Sequence, residues 1–350
     1  MPGSSKVAGE PGHGYVPLVE VRRGGTVESL HFGAIAVVDA EGRAIASAGD
    51  PAIQVVLRST AKPVQVLPLL DAGGAERFGF SEPEIAVMIG SHGGEPVHVE
   101  AVRSILRKVG LDETALLCGS HAPTHRPAAL ALRRLGQEPS VLHNNCSGKH
   151  AGMLALAVHL GAPVATYLDP GHPVQERIRA RLEALAGLRP GTAAIAIDGC
   201  SAPTFSMALG SLALLYARLV AGAGRRGAPD AALPRAVGAM RRHPEMIAGT
   251  DRLCTELMRR GRGGLIAKIG AEGMYGLAFE RKGQDIGIAL KIADGDGQRA
   301  RFSAALEALS QLGALAAGDA AELGGRFVGE VRNHRNLRVG EIATTFQLAG

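Results

Sequence analysis

Short apolar runs bounded by polar or Gly/Pro-containing stretches occur at Ala34–Val38, Ile53–Leu57, Ile85–Ile89, Ala194–Ile197 and Leu265–Ile269, and each predicts a strand. Two further runs, Tyr275–Glu280 and Ile286–Ile292, flank Arg281-Lys282-Gly283-Gln284 and predict a hairpin. Apolar positions at helical spacing predict helices over Glu100–Val109, Ala128–Leu135, His150–His159, Val174–Leu185, Ser211–Val220, Leu233–Arg242 and Ala300–Ala317. The two kinds of element interleave, but not as single strands alternating with single helices. The expected class is therefore a mixed α/β fold with a partly antiparallel sheet flanked by helices. The Gly/Pro/Ser-containing residues 1–15 read as a loose leader and residues 16–350 as one large domain, with a sub-domain boundary near residues 221–229 (AGAGRRGAP). The polar tail from Asn333 reads as an arm or a last strand.

Composition narrows the class of function. The 350 residues are 46% apolar and 20% charged, a globular balance that excludes a disordered chain. The formal charge is only +5, and the basic residues fall in isolated pairs such as Arg133-Arg134 and Arg241-Arg242. With no Trp, four Tyr and eight Phe, there is little to stack nucleic-acid bases on, which argues against a nucleic-acid partner. No run of eighteen apolar residues is present, and the N-terminal stretch lacks the apolar core of a signal peptide. The expectation is a cytoplasmic protein with no membrane partner. Four cysteines in a chain of this size are too few for a disulfide scaffold, which fits a reducing compartment.

Two motif matches fail on context. Gly222-Ala223-Gly224-Arg225-Arg226-Gly227 has the dinucleotide spacing but follows a helical segment and precedes Pro229. Asp294-Gly295-Asp296-Gly297 opens like a calcium loop, yet the glycine and glutamate that such a loop requires further on are Arg299 and Ala305.

Arg58-Ser59-Thr60-Ala61-Lys62-Pro63 is more informative. Ser59 and Lys62 form S-x-x-K, which on a helix places the amine beside the hydroxyl, near the positive end of the helix dipole. Pro63 fits a first helical turn but pushes Lys62 off ideal angles, so an irregular turn is expected. Further on, Lys268 closes an apolar run and is followed by Ile269-Gly270, the form of the K-T-G element that accompanies S-x-x-K in serine β-lactamases and penicillin-binding proteins. Between them, the Gly-rich segment Ser91-His92-Gly93-Gly94-Glu95-Pro96 offers a second hydroxyl. A serine hydroxyl must lose its proton as it attacks, and a neutral lysine amine can take it. Keeping lysine neutral at pH 7 requires lowering its pKa by about three units, about 4 kcal/mol of differential destabilisation. Burial and a second cation supply that, and Lys268 is the candidate second cation.

Two other segments are dense in reactive side chains. His143-Asn144-Asn145-Cys146-Ser147-Gly148-Lys149-His150 precedes a helical stretch, and Asp198-Gly199-Cys200-Ser201 ends a strand, where sites gather in α/β folds. Two thiolates and a nitrogen ligand suit zinc, and by chemistry alone His143 or His150 is a more usual nitrogen than lysine. Two buried, inert cysteines are the competing reading.

Together, R-S-T-A-K-P, S-H-G-G-E, H-N-N-C-S-G-K-H-A-G-M, D-G-C-S-A-P-T and A-K-I-G-A-E-G resemble the L-asparaginase II family of the rhizobial inducible type, in family order from about Val21 to Ile292. The resemblance implies a serine β-lactamase-like fold, a homodimer, and hydrolysis of L-asparagine to L-aspartate and ammonia. It also implies Ser59 with Lys62 and Ser91 with Lys268 as two Ser–Lys tandems, and Cys146, Lys149 and Cys200 as a Zn2+ site beside the substrate. S-x-x-K logic favours Ser59 as nucleophile, with Ser91 the alternative. On the substrate side, Arg58 is the candidate for the α-carboxylate and Asp198 with His150 for the α-ammonium. Backbone N–H groups near Ser59 and Gly270 are candidates for an oxyanion hole, worth about 3–4 kcal/mol per donor. Zinc is expected to order the substrate-binding loops. The competing functions are a β-lactam or D-peptide hydrolase, a zinc hydrolase with the metal as Lewis acid, and a catalytically silent amino-acid sensor.

Overall fold

The hairpin predicted around Gly283 is formed. The computed structural model describes residues 13–224 and 231–350. Residues 1–12 of the expected leader and residues 225–229 of the expected boundary lie outside the described residues. The strands, in chain order, are β1 (Val16–Arg23), β2 (Thr26–Asp39), β3 (Ala44–Ala48), β4 (Gln54–Val56), β5 (Ala194–Ile197), β6 (Pro203–Ala208), β7 (Ile266–Ile269), β8 (Met274–Arg281), β9 (Gln284–Ile292), β10 (Val331–Arg332) and β11 (Arg338–Thr344). The fold is mixed α/β, as expected. The chain divides into two units: one gathers the residues up to Val55, Met207–Arg218 and Arg260–Gly350, and the other Val56–Ser206 and Leu219–Arg259.

The first unit is built on one sheet, ordered β10-β11-β1-β2-β9-β8-β7, with β3 also on β2. Every one of these pairs is antiparallel, so this sheet goes beyond the partly antiparallel one expected. In the β8–β9 hairpin Arg281 opposes Gln284, leaving a two-residue turn in which Lys282 and Gly283 have φ of 53° and 78°. Positive φ at both central residues is the geometry that matches the twist of the flanking strands. At Gly287, a Cβ would collide with the backbone of Ala213 and Ala217, so glycine lets the helix Leu209–Gly224 lie directly on β9 there. Strand β2 is longer than its apolar run suggested. Its last seven residues are buried and its first half is largely exposed, so only the second half carries an apolar signal.

The second unit is helical around Ser147–Leu160, a helix buried continuously from Ser147 to Ala157. Glu82–Ile89 and Pro96–Lys108 pack against it. The run Ile85–Ile89 is thus a helix and not the expected strand. A capping box between Ser81 and Glu84 starts it, and burial on every side removes the helical alternation that would have marked it. The segment Ala300–Ala317 is likewise two helices and not one, Arg299–Gln311 and Ala317–Phe327, joined by residues 312–316. Four short helices went unpredicted: Leu67–Asp71, Gly74–Phe78, Pro244–Ala248 and Leu253–Arg260.

Candidate active site

The S-x-x-K segment opens as a 3-10 turn over Arg58–Ala61 and continues as the short helix Lys62–Gln65. The backbone N–H of Leu57 donates to Phe205 O (2.9 Å), which ties the start of this turn to β6. Arg58 is held at φ 50°, a left-handed conformation that a non-glycine residue adopts at a cost and that recurs at functional sites. Its Nε donates to Asp198 Oδ1 at 2.7 Å. Asp198 sits where β5 gives way to a tight turn, with Ser201 at φ 69° and the Asp198 N–H donating to Ala202 O. Burial opposes ionisation of this carboxyl, but the charges of Lys149 and Arg58 outweigh it and hold the pKa below the usual range. The two residues expected at opposite ends of the substrate therefore pair with each other.

Lys62 is 1% exposed. Its Nζ donates to Gly90 O (2.6 Å), Ser91 Oγ (3.0 Å) and Asn145 O (3.3 Å). Burial lowers its pKa, with the charge of Lys149 adding to the effect and Cys146 opposing it. The hydroxyl in contact with Lys62 is thus that of Ser91, 29 residues away, while Ser59 Oγ makes no hydrogen bond among the described residues. Lys268 lies buried on β7 in the first unit, where its Nζ donates to Ile269 O at 2.9 Å.

Ser91 follows directly on the helix Glu82–Ile89 and its C-cap Gly90, in a loop fastened on several sides. Ser91 N–H donates to Ile247 O (2.8 Å), His125 N–H to Gly93 O (2.9 Å), and the Glu95 carboxylate accepts from Thr250 N (2.8 Å) and Oγ1 (2.7 Å).

Cys146 caps the helix Ser147–Leu160, and its N–H donates to Asn144 Oδ1 at 2.8 Å. Lys149, one turn on, donates from Nζ to Cys200 Sγ at 2.9 Å. All three side chains are buried, and the two cysteines are free thiols. A hydrogen bond from Cys200, together with the charges of Lys62 and Lys149, places Cys146 well below the ordinary thiol range in spite of burial. The same hydrogen bond, with burial, pushes Cys200 up. Burial would lower Lys149, but the two sulfurs prevail and raise it. Among the described residues no group of three His, Cys, Asp or Glu side chains is placed to hold a metal. The candidate set differs in having lysine as its third member.

Helix Ser147–Leu160 comes this close to Ser91 because of Gly148. A Cβ there would collide with Val87 O, three residues before Gly90. Gly148→Ala should lower stability by about 3 kcal/mol, since backbone rather than a flexible side chain must give way. The check is the denaturant midpoint at unchanged m-value.

Two candidates already have partners. His150 is fully buried on the same helix, with Nδ1 2.6 Å from Tyr167 OH. Gly270 N–H donates to Met274 O at 2.9 Å in the β7–β8 turn, which commits it and removes it as an oxyanion donor. The Gly270 carbonyl accepts from buried Arg301 (2.6 Å). Sequence reasoning missed His92 and Ser147, which are bonded to each other at 3.0 Å. Both stood inside quoted motifs, but neither is of a type that spacing singles out.

Among known proteins, a family of amidohydrolases accounts for the chain: the model of L-asparaginase II matches residues 19–344. The chain belongs to the L-asparaginase II family. No curated protein matches it. Among solved structures it is similar to Mglu in its native form, with a TM-score of 0.43 and 17% identity over 81% of this chain and 65% of that one. It thus spans less than two thirds of Mglu. A putative beta-lactamase from Bacteroides dorei gives a TM-score of 0.40 and 14% identity, covering 85% of this chain and 93% of its own. A Bacillus glutaminase gives 0.32 and 14%, with 75% and 84% covered. No helix among the described residues is long and apolar enough to cross a membrane.

Proposed function

We propose that the chain hydrolyses L-asparagine to L-aspartate and ammonia through a serine activated by Lys62. The observation that carries this reading is the buried Lys62 amine, lowered in pKa and 3.0 Å from the Ser91 hydroxyl. Ser59 attacks the side-chain carbonyl from the turn that Arg58 holds in its strained conformation. Lys62 takes the proton, and Ser91 relays it to the departing ammonia. The Ser59 N–H, in the first turn where N–H groups lack helical partners, faces the developing oxyanion. Water then hydrolyses the acyl-enzyme, with Lys62 again as base. Arg58 and Asp198, neutralising each other at 2.7 Å, separate to hold the α-carboxylate and α-ammonium of the substrate. The Lys62–Ser91 bond favours a second reading, in which Ser91 is itself the nucleophile.

Cys146, Lys149 and Cys200 fit zinc. They are two free buried thiols and an amine already in contact, and the lowered pKa of Cys146 readies one thiolate. Lys149 must shed its proton to serve as a ligand, which the raised pKa opposes until a cation replaces that proton. When bound, the ion supplies a positive charge that joins the two cysteine segments beside the substrate-binding pair. Cys200→Ser should reduce bound zinc from about one per chain to near zero by elemental analysis. Unchanged metal content would end the assignment.

The direct test is ammonia release by the purified protein from L-asparagine, with L-glutamine in parallel. The two differ by one methylene, which a pocket discriminates by about 1–3 kcal/mol, so the expected preference for asparagine is about 10- to 150-fold in kcat/KM. Release from neither amide overturns the reading. Nitrocefin turnover in its place would establish the lactam hydrolase, and a raised melting temperature with asparagine but no ammonia would establish the sensor.

A further inference from the structure

His92 is fully buried next to Ser91, and both of its ring nitrogens are engaged. Nδ1 accepts the Gly94 N–H (3.2 Å), so the ring proton resides on Nε2, which donates to Ser147 Oγ (3.0 Å). The Ser147 hydroxyl in turn donates to Leu142 O (2.9 Å). The chain of bonds has one direction, and every proton in it is placed. The ring also stacks on that of His98, with centroids 5.0 Å apart and 14° between planes. His98 repeats the arrangement: its Nδ1 accepts the Glu95 N–H (3.2 Å) and its Nε2 donates to Glu245 O (2.9 Å).

These bonds join the segments on which the chemistry depends. Lys62 Nζ reaches Gly90 and Ser91 on one loop and Asn145 on another. The His92–Ser147 bond joins the same two loops one residue beyond Ser91 and two beyond Asn145. The spacing between the hydroxyl and the cysteine–lysine segment is thus fixed by two struts, Lys62 and His92. A buried donor and acceptor left unmade would cost more than the bond itself is worth, so the pair resists rearrangement.

We infer that His92 is a positioning residue, which through Ser147 sets the orientation of the Ser91 hydroxyl toward the Lys62 amine. The inference rests on the Ser–Lys reading above. It predicts loss of turnover without loss of substrate binding, because Arg58 and Asp198 are untouched.

The experiment measures kcat and KM for ammonia release from L-asparagine, with melting temperature alongside, in the full chain and four variants. These are His92→Phe, which keeps the ring stack but neither bond, His92→Gln, whose amide reaches Ser147, Ser147→Ala, and His92→Phe with Ser147→Ala together. His92→Phe and Ser147→Ala should each lower kcat roughly 10- to 100-fold, with KM within about twofold, since misplacement by an ångström costs that much in rate. His92→Gln should recover most of the rate, and the double variant should be no slower than the slower single one. Three results overturn the inference: Ser147→Ala within about twofold of the parent in kcat, losses that multiply in the double variant, or a glutamine variant no better than phenylalanine. Should His92→Phe fail to fold, Ser147→Ala within about twofold of the parent in kcat, or His92→Gln as slow as Ser147→Ala, overturns the inference. A parent chain that releases no ammonia overturns the Ser–Lys reading and this inference together, whereas an active parent insensitive at His92 and Ser147 overturns this inference alone.

Discussion

Ser59→Ala should abolish ammonia release, with kcat at least about 10³-fold below the parent, because no other group then accepts the acyl carbon. Ser91→Ala should cost about 10²-fold, the size of a lost proton relay, and leave the acyl-enzyme accessible. Single-turnover kinetics with mass detection of the acyl-enzyme separate the two. An adduct on Ser59 that still forms in the Ser91 variant, but more slowly than in the parent, fits the relay. The reverse order of losses, with the adduct on Ser91, transfers the nucleophile to the hydroxyl that Lys62 touches in the structure.

Lys62→Met should lower kcat about 10³-fold at nearly constant KM, since methionine fills the space of the buried stem and removes only the base. The pH profile gives an independent check. Because burial lowers the Lys62 pKa, the acid limb of kcat/KM should lie below the ordinary lysine range, with activity rising as pH climbs through it. That limb should vanish in the methionine variant. Stability follows the opposite logic. Between the folded and unfolded pKa values the unfolded chain binds the extra proton, so Lys62 penalises folding at neutral pH and the penalty fades as pH rises. Lys62→Met should therefore melt no lower than the parent at pH 7, and a large fall in melting temperature would mean that the bonds to Gly90 and Asn145 matter more than the charge.

What could be read from the chain depended on how local each feature is. The β8–β9 hairpin was legible because a two-residue turn and two apolar runs lie within one short window. The helix Glu82–Ile89 reads as a strand although Ser81 and Glu84 spell out its cap, because five consecutive apolar residues fit a buried strand equally well. Strand β1 carries no comparable signal. Its sequence VPLVEVRR is polar at the ends, and its burial comes from pairing with β2 and with β11, more than 300 residues away. The site divided in the same way. Ser59, Lys62, Ser91, Cys146, Lys149 and Cys200 stand out by residue type and motif. Their pairing does not: Lys62 with Ser91, Arg58 with Asp198 and His92 with Ser147 join segments 29 to 140 residues apart. Only tertiary structure sets which of those partners meet. Gly270 illustrates the limit, since its neighbours along the chain gave no sign that its N–H was already committed to Met274.

The order of the main sheet also bears on how the protein is made. Strand β2 lies between β1 and β9, and β1 lies between β2 and β11, so the strands translated first finish pairing with strands translated last. On the ribosome, the segment Val56–Ser206 emerges and can collapse on its helix Ser147–Leu160 while β2 still presents an unpaired apolar edge. That edge stays open until residues 284–292 arrive. Nascent chains stalled before β9 should therefore be the aggregation-prone intermediates, and those carried past it should not.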